Sequence, residues 1–168
     1  MNTTREDLQR ALANSNVRAF LRVIREGETD HTGMAYRKLV GDPPGVYSLK
    51  DLSDHPRRVV WIGNLNVFSS AAGAYQFLTR TWDEMAERYG FEDFRPACQD
   101  EAAVGLLIRR KALDAIEAGQ IDLALLNCSY EWASLPPGRY GQPTISYSKA
   151  FAVYRKWGGK HVVSDADV

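Results

Sequence analysis

Apolar positions near the start of the chain recur at helical spacing. Val17, Phe20, Leu21 and Ile24 follow the i, i+3, i+4, i+7 pattern behind Asn16, a residue suited to capping, and predict a helix running to about residue 28. Residues 1–15 read as an N-terminal extension. Over residues 33–68 the pattern changes. Gly41, Pro43, Pro44 and Gly45 interrupt the chain, the runs Val46-Tyr47-Ser48-Leu49 and Val59-Val60-Trp61-Ile62 favour strands, and Gly63-Asn64 favours a turn. A small antiparallel sheet or hairpin is expected there.

From Ser69 the helical period returns. Tyr75, Leu78, Trp82, Met85 and Tyr89 form one stripe that stops at Gly90, where a terminating glycine is expected. Val104, Leu107, Ile108 and Leu113 mark a second helix ending near Gly119, and Ile121, Leu125 and Cys128 a third. After the Leu135-Pro136-Pro137-Gly138 loop, Phe151 and Tyr154 mark a last one. The class is therefore α+β. A single domain spans 1–168, with a β-containing lobe at 33–68, a helical lobe at 69–160, and a groove expected between them.

Composition narrows the partners more than the fold. The 45% apolar and 25% charged fractions are those of an ordinary globular protein, with neither repeats nor low-complexity tracts. Twenty-one basic residues balance twenty-one acidic ones, so overall charge gives no support to nucleic-acid binding. No apolar run is long enough to cross a bilayer, and the N-terminus lacks the basic start and apolar stretch of a signal peptide. Synthesis in the cytoplasm without a signal peptide is expected, as a monomer that does not insert into membranes. Cys98 and Cys128 lack the spacing of a zinc knuckle and read as reduced core thiols. His31, His55 and His161 are scattered, so no metal and no other cofactor is expected, and His55 reads as a structural hydrogen-bonding residue. No Gly-x-Ser-x-Gly elbow supports a nucleophilic triad.

Two acids close the first helix, and helical phase separates them. At about 100° per residue from Ile24, Glu28 lies at about 40°, on the apolar stripe, and Glu26 at about 200°, on the opposite face. Glu26, four residues after Arg22, reads as a solvated ion pair. Glu28 is buried with a partner, at the wall of a cleft, or, if the helix end frays, simply exposed. In a cleft, desolvation and the negative end of the helix dipole both raise its pKa, which suits a general acid acting on a glycosidic oxygen.

These residues also carry a resemblance. Ala19-Phe20-Leu21-Arg22-Val23-Ile24-Arg25-Glu26-Gly27-Glu28 is similar to the catalytic helix of the lambda-type endolysins of phages and prophages, with Glu28 on the family's catalytic glutamate. Four further stretches agree in order and spacing. They are Ser53-Asp54-His55-Pro56-Arg57, Ser70-Ala71-Ala72-Gly73-Ala74-Tyr75-Gln76, Gln99-Asp100, and Cys128-Ser129 with Trp132-Ala133-Ser134-Leu135-Pro136 and Tyr140-Gly141-Gln142. The resemblance implies a lysozyme-like fold and cleavage of the β-1,4 bond between N-acetylmuramic acid and N-acetylglucosamine in peptidoglycan glycan strands. It also implies a lytic transglycosylase mechanism, in which the muramyl 6-hydroxyl displaces the leaving sugar and a 1,6-anhydro ring forms. Action on the periplasmic cell wall, after release by another route, follows. One departure stands beside the acid: the connection from Glu28 to Tyr36 is shorter, and Thr29 stands where glycine is common in lambda-type chains.

The supporting residues have competing readings. Gly73-Ala74-Tyr75-Gln76 resembles the Gly-Leu-Met-Gln string of other lytic transglycosylases, so Gln76, at an expected helix start, is assigned to the sugar's N-acetyl group rather than to a nearby backbone. Tyr75 suits core and groove equally. Trp132, Tyr140 and Gln142 flank the Pro-rich loop that the resemblance makes one lip of the groove; Trp132 is more typical of core, and Tyr140 and Gln142 of surface. Ser70 reads first as a helix cap and second as a neighbour of Glu28. A hydrolytic muramidase would need a second carboxylate, for which Asp30, Asp42, Asp51 and Asp54 are available. A non-catalytic glycan-binding module is the alternative from another class.

Overall fold

The computed structural model describes residues 2–162; Met1 and residues 163–168, which the single-domain reading includes, lie outside the described residues. The chain opens with a helix that the hydrophobic pattern did not show. In α1 (Arg5–Leu12), the Thr4 hydroxyl accepts from the Asp7 backbone N–H, and the Asp7 carboxylate accepts in return from the Thr4 backbone N–H. Leu8 and Ala11 are buried, and Arg5 and Gln9 both donate to Glu101 at 3.0 Å. The stretch expected as an extension is thus packed into the body.

The first expected helix is α2 (Ser15–Glu28), and its cap is Asn14 rather than Asn16. The Asn14 side chain accepts from the backbone N–H groups of Asn16 and Val17. Asn16 acts over a longer range. Its amide donates to the Ile116 carbonyl and accepts from the Lys160 backbone N–H, which clips two distant segments to the start of α2. Val17, Phe20 and Ile24 are fully buried and Leu21 nearly so, as the periodicity requires.

Of the two expected strands, only one forms. β1 (Val60–Ile62) pairs antiparallel with β2 (Val67–Ser69), with Trp61 opposite Phe68. The turn between them begins at Gly63-Asn64 as expected. Val46–Leu49 is not a strand because side chains take up its backbone groups. Lys38 donates to the Val46 carbonyl, Asp42 accepts from the Ser48 N–H, and Arg37 donates to the Leu49 carbonyl.

The next helix, α3 (Thr79–Tyr89), begins later than its stripe suggested and ends at Gly90, whose φ of 77° is left-handed. Residues 73–76 instead form the tip of a tight turn, closed by reciprocal hydrogen bonds between the backbones of Ala72 and Phe77. Gly73 (φ 85°) and Gln76 (φ 52°) turn the chain back, so Tyr75 and Gln76 lie outside the helix. α4 (Pro96–Arg109) and α5 (Leu113–Glu117) replace one expected helix, broken at Lys111, where φ is positive. α6 (Ile121–Cys128) and α7 (Tyr147–Lys156) fall where expected. α2 packs on α7 and α5, α1 on α4, and α3 on α4. Phe77, Trp82, Phe91 and Phe94 form an aromatic cluster beneath the turn, each such burial stabilising by about 2 kcal/mol. Cys98 and Cys128 are buried free thiols.

Candidate active site

Helix α2 delivers Glu28 as its last residue, and three contacts fix where its carboxyl points. Thr29, immediately after it, donates its hydroxyl to the Ala74 carbonyl at 2.7 Å. Ser134 donates its hydroxyl to Glu28 Oε1 at 2.8 Å. Gly27 lets that loop approach: a Cβ on Gly27 would lie 2.4 Å from Ser134 Oγ. Trp132, two residues before Ser134, donates its indole N–H to the Tyr75 carbonyl at 3.0 Å. The residue pair 74–75 therefore anchors both flanks of Glu28.

Burial raises the Glu28 carboxyl to a pKa of about 7, against an ordinary value of 4.5, and the Ser134 hydrogen bond only partly offsets it. The residue as a whole is half-buried, while its carboxyl is surrounded by protein. Glu26 differs. Burial pushes its pKa up, but hydrogen bonds from His31, at 2.6 Å, and Lys149 outweigh this and hold it below the ordinary value. Its partners are thus His31, through a hydrogen bond, and Lys149, through an ion pair, not Arg22, which instead stacks on Trp157 with its guanidinium 3.9 Å from the ring centre.

Because the folded protein favours protonated Glu28, stability is full below the ordinary carboxylate value and declines as pH rises through about 7. Glu28→Gln cannot titrate. It is expected to melt higher than the parent at about pH 8, with the gap closing at about pH 4. A gap independent of pH in calorimetry would show that the carboxyl is not desolvated.

The other expected site residues separate into three groups. Tyr75 and Trp132 are core, 2% and 4% exposed, so neither offers a ring face to a sugar. The Tyr75 hydroxyl is spent on Asp100. Gln76 is half-buried, and its amide donates to the Gly73 carbonyl at 2.9 Å and the Lys38 carbonyl at 3.4 Å, so its N–H groups satisfy backbone rather than await an acetamido oxygen. Ser70 accepts from the Thr79 backbone N–H at 3.0 Å and so caps α3 from nine residues away. Tyr140 and Gln142 are exposed, as expected of a lip.

Each alternative carboxylate has local work. Asp30 accepts from Tyr47 and from the Thr32 hydroxyl and N–H, Asp42 from Leu39 and Ser48, Asp51 from Ser53, and Asp54 from Arg57. Burial raises Asp30 and Asp42, but those bonds outweigh it and hold both below the usual carboxylate range. His55 is buried and structural: its Nδ1 accepts from the Arg57 N–H, so its Nε2 donates to the Phe77 carbonyl at 2.8 Å.

Ser134 is the site residue that sequence reasoning missed. It stood in the Trp132–Pro136 string without a role, and only its close approach to Gly27 reveals it. Gln76 and Trp132 border a cavity of about 250 Å³ that reaches Arg109, Arg110 and Glu131. A larger cavity of about 500 Å³, lined by Thr3, Asp7, Ile108, Lys111, Leu113 and Asp114, includes none of the residues around Glu28. Desolvation of an acid, not volume, marks the site.

A desolvated glutamate at the end of a core helix, in a helical body carrying one small antiparallel hairpin, is the arrangement of a lysozyme-like protein. The endolysin family model matches residues 18–161. The endolysin of Escherichia phage lambda is 40% identical over 118 residues, covering 70% of this chain and 73% of that one. The endolysin of Escherichia phage P2 is 35% identical over 156 residues, covering 87% and 94%. The structure of bacteriophage lambda lysozyme complexed with a chitohexasaccharide superposes with a TM-score of 0.78 at 34% identity, over 89% of this chain and 97% of the other. The chain belongs to the endolysin family.

Proposed function

We propose that this chain cleaves the β-1,4 bond between N-acetylmuramic acid and N-acetylglucosamine in peptidoglycan, as a lytic transglycosylase with Glu28 as general acid and then general base. The observation that carries this reading is the Glu28 carboxyl itself, desolvated to a pKa of about 7 with Ser134 holding one oxygen. Such a group is partly protonated near neutral pH, so it can give a proton and take one back.

The proton of Glu28 passes to the glycosidic oxygen as the C1–O bond breaks and the N-acetylglucosamine portion departs as an alcohol. The resulting carboxylate takes the proton of the muramyl 6-hydroxyl as that oxygen bonds to C1, closing the 1,6-anhydro ring and restoring the acid. Attack from within the same sugar gains from a high effective molarity, so neither a positioned water nor a second carboxylate is required. The engagement of Asp30, Asp42, Asp51 and Asp54 in their own turns favours this over a two-carboxylate hydrolysis. Tyr140 and Gln142 belong to the lip along which the glycan strand lies. The protein acts as a monomer on the periplasmic cell wall after release from the cytoplasm. It inserts no segment into the membrane; among the described residues no helix is long and apolar enough to cross one.

Mass spectrometry of digested peptidoglycan tests the bond and the mechanism together. The expected products end in 1,6-anhydromuramic acid, lighter by one water than a hydrolase's reducing ends. Chains of N-acetylglucosamine alone are expected to bind and resist cleavage, because they lack the muramyl unit. A digest containing only reducing muramic acid ends would replace the transglycosylase with a hydrolase.

A further inference from the structure

Beneath the 74–75 anchor lies a polar cluster that the reaction does not use. Asp100, on α4, accepts from the Tyr75 hydroxyl at 2.6 Å and the Tyr36 hydroxyl at 2.8 Å, both on the same oxygen Oδ1. Its neighbour Gln99 is fully buried and holds the backbone of the same two segments, accepting from the Ala74 N–H at 2.9 Å and donating to the Tyr36 carbonyl at 3.0 Å. Consecutive residues of α4 thus grip one turn twice, once by its backbone and once by its side chain. From that turn the Ala74 carbonyl holds Thr29, and the Tyr75 carbonyl holds Trp132. The path from Asp100 to the Glu28 carboxyl runs through Tyr75 and then along both flanks.

We infer that Asp100 is a positioning residue for Glu28, setting the height of the 74–75 segment through the Tyr75 hydroxyl and so the separation of Thr29 and Ser134 around the acid. A carboxylate accepting two phenolic hydrogens makes charge-assisted bonds, about twice as strong as neutral ones. Tyr75 is 2% exposed and its hydroxyl is held by Asp100, so loss of Asp100 leaves a buried phenol without its partner. The titratable and charged groups around Asp100 are the neutral phenols of Tyr36 and Tyr75 and the guanidinium groups of Arg22 and Arg25, with Arg18 lining the small cavity they share. Burial raises the Asp100 carboxyl, and the two phenols and Arg25 pull it back only in part.

This inference rests on the assignment of Glu28 as the acid, and its test separates the two. Asp100→Asn and Tyr75→Phe are each expected to lower kcat by about 10-fold with KM within about twofold of the parent, since substrate contacts are untouched. The double variant is expected to be no slower than the worse single one, because Asp100→Asn turns into a neutral bond the same charge-assisted hydrogen bond that Tyr75→Phe removes. Tyr36→Phe, which leaves the Tyr75–Asp100 bond in place, is expected to keep kcat within about twofold. Independently of turnover, a carbon-detected NMR titration of the Glu28 carboxyl is expected to show its midpoint falling in Asp100→Asn as water reaches the acid. Multiplicative losses in the double variant, an unchanged Glu28 midpoint, or a kcat loss that only tracks the unfolded fraction would overturn the inference. If Asp100→Asn does not fold, Tyr75→Phe carries the same kcat and titration outcomes. A parent protein inactive on cell walls removes the proposed reaction and leaves the titration result standing on its own.

Discussion

Glu28→Gln is expected to lose about 10³-fold or more of its cell-wall clearing rate while remaining folded. The amide is nearly isosteric and can keep the Ser134 hydroxyl as a donor to its oxygen, but it has no acidic proton for a leaving group. Glu26→Gln is the internal control. Glu26 lies about 160° around α2 from the acid, and the loss of its partly exposed contacts with His31 and Lys149 is expected to change stability by less than about 1 kcal/mol. A turbidity assay on outer-membrane-permeabilised cells distinguishes the two. If the Glu26 variant were dead and the Glu28 variant active, both the helix phase and the assignment would be wrong.

Gly73→Ala carries the second large effect, this time on the fold that supports the site. The φ of 85° costs a non-glycine residue about 1–2 kcal/mol. The new Cβ would also stand 2.3 Å from Gln99 Oε1 and 2.9 Å from Phe94 Cζ, both buried, and such overpacking costs roughly 1–3 kcal/mol more. Against a total stability of about 5–15 kcal/mol this is a substantial part, and a fall in Tm of roughly 10 °C is expected. Gly45→Ala separates the two causes. Gly45 has a φ of 79°, but nothing lies within 4 Å of where its methyl would stand, so only the conformational part should appear. Equal losses in the two variants, read by thermal denaturation, would mean that the Gln99 contact is not tight.

Helix periodicity, stop signals and the side of α2 on which Glu28 falls were legible in the residues, because each depends on neighbours within a turn or two. The apolar stripe Val17, Phe20, Leu21 and Ile24 needs only the helical period to say which face is buried, and Gly90 needs only its own freedom at positive φ to end α3. The family resemblance added the glutamate's chemistry and the strings that surround it. Short local rules failed where a side chain captured backbone from outside the element. Lys38, Arg37 and Asp42 removed Val46–Leu49 from any sheet.

The environment of the acid was decided only by the tertiary structure. Ser134 lies 106 residues from Glu28, and no period or motif spacing connects them. Tyr75 is an aromatic residue that a groove or a core would accept equally, and Trp132 one more typical of a core; the carboxylate of Asp100 and the carbonyl of Tyr75 hold them inward by giving each a buried polar partner. A pKa is likewise not a property of a glutamate in a sequence. It depends on how much water the folded chain removes and which hydrogen bonds replace it, and both are settled when α2, the 73–77 turn and the Ser134 loop meet.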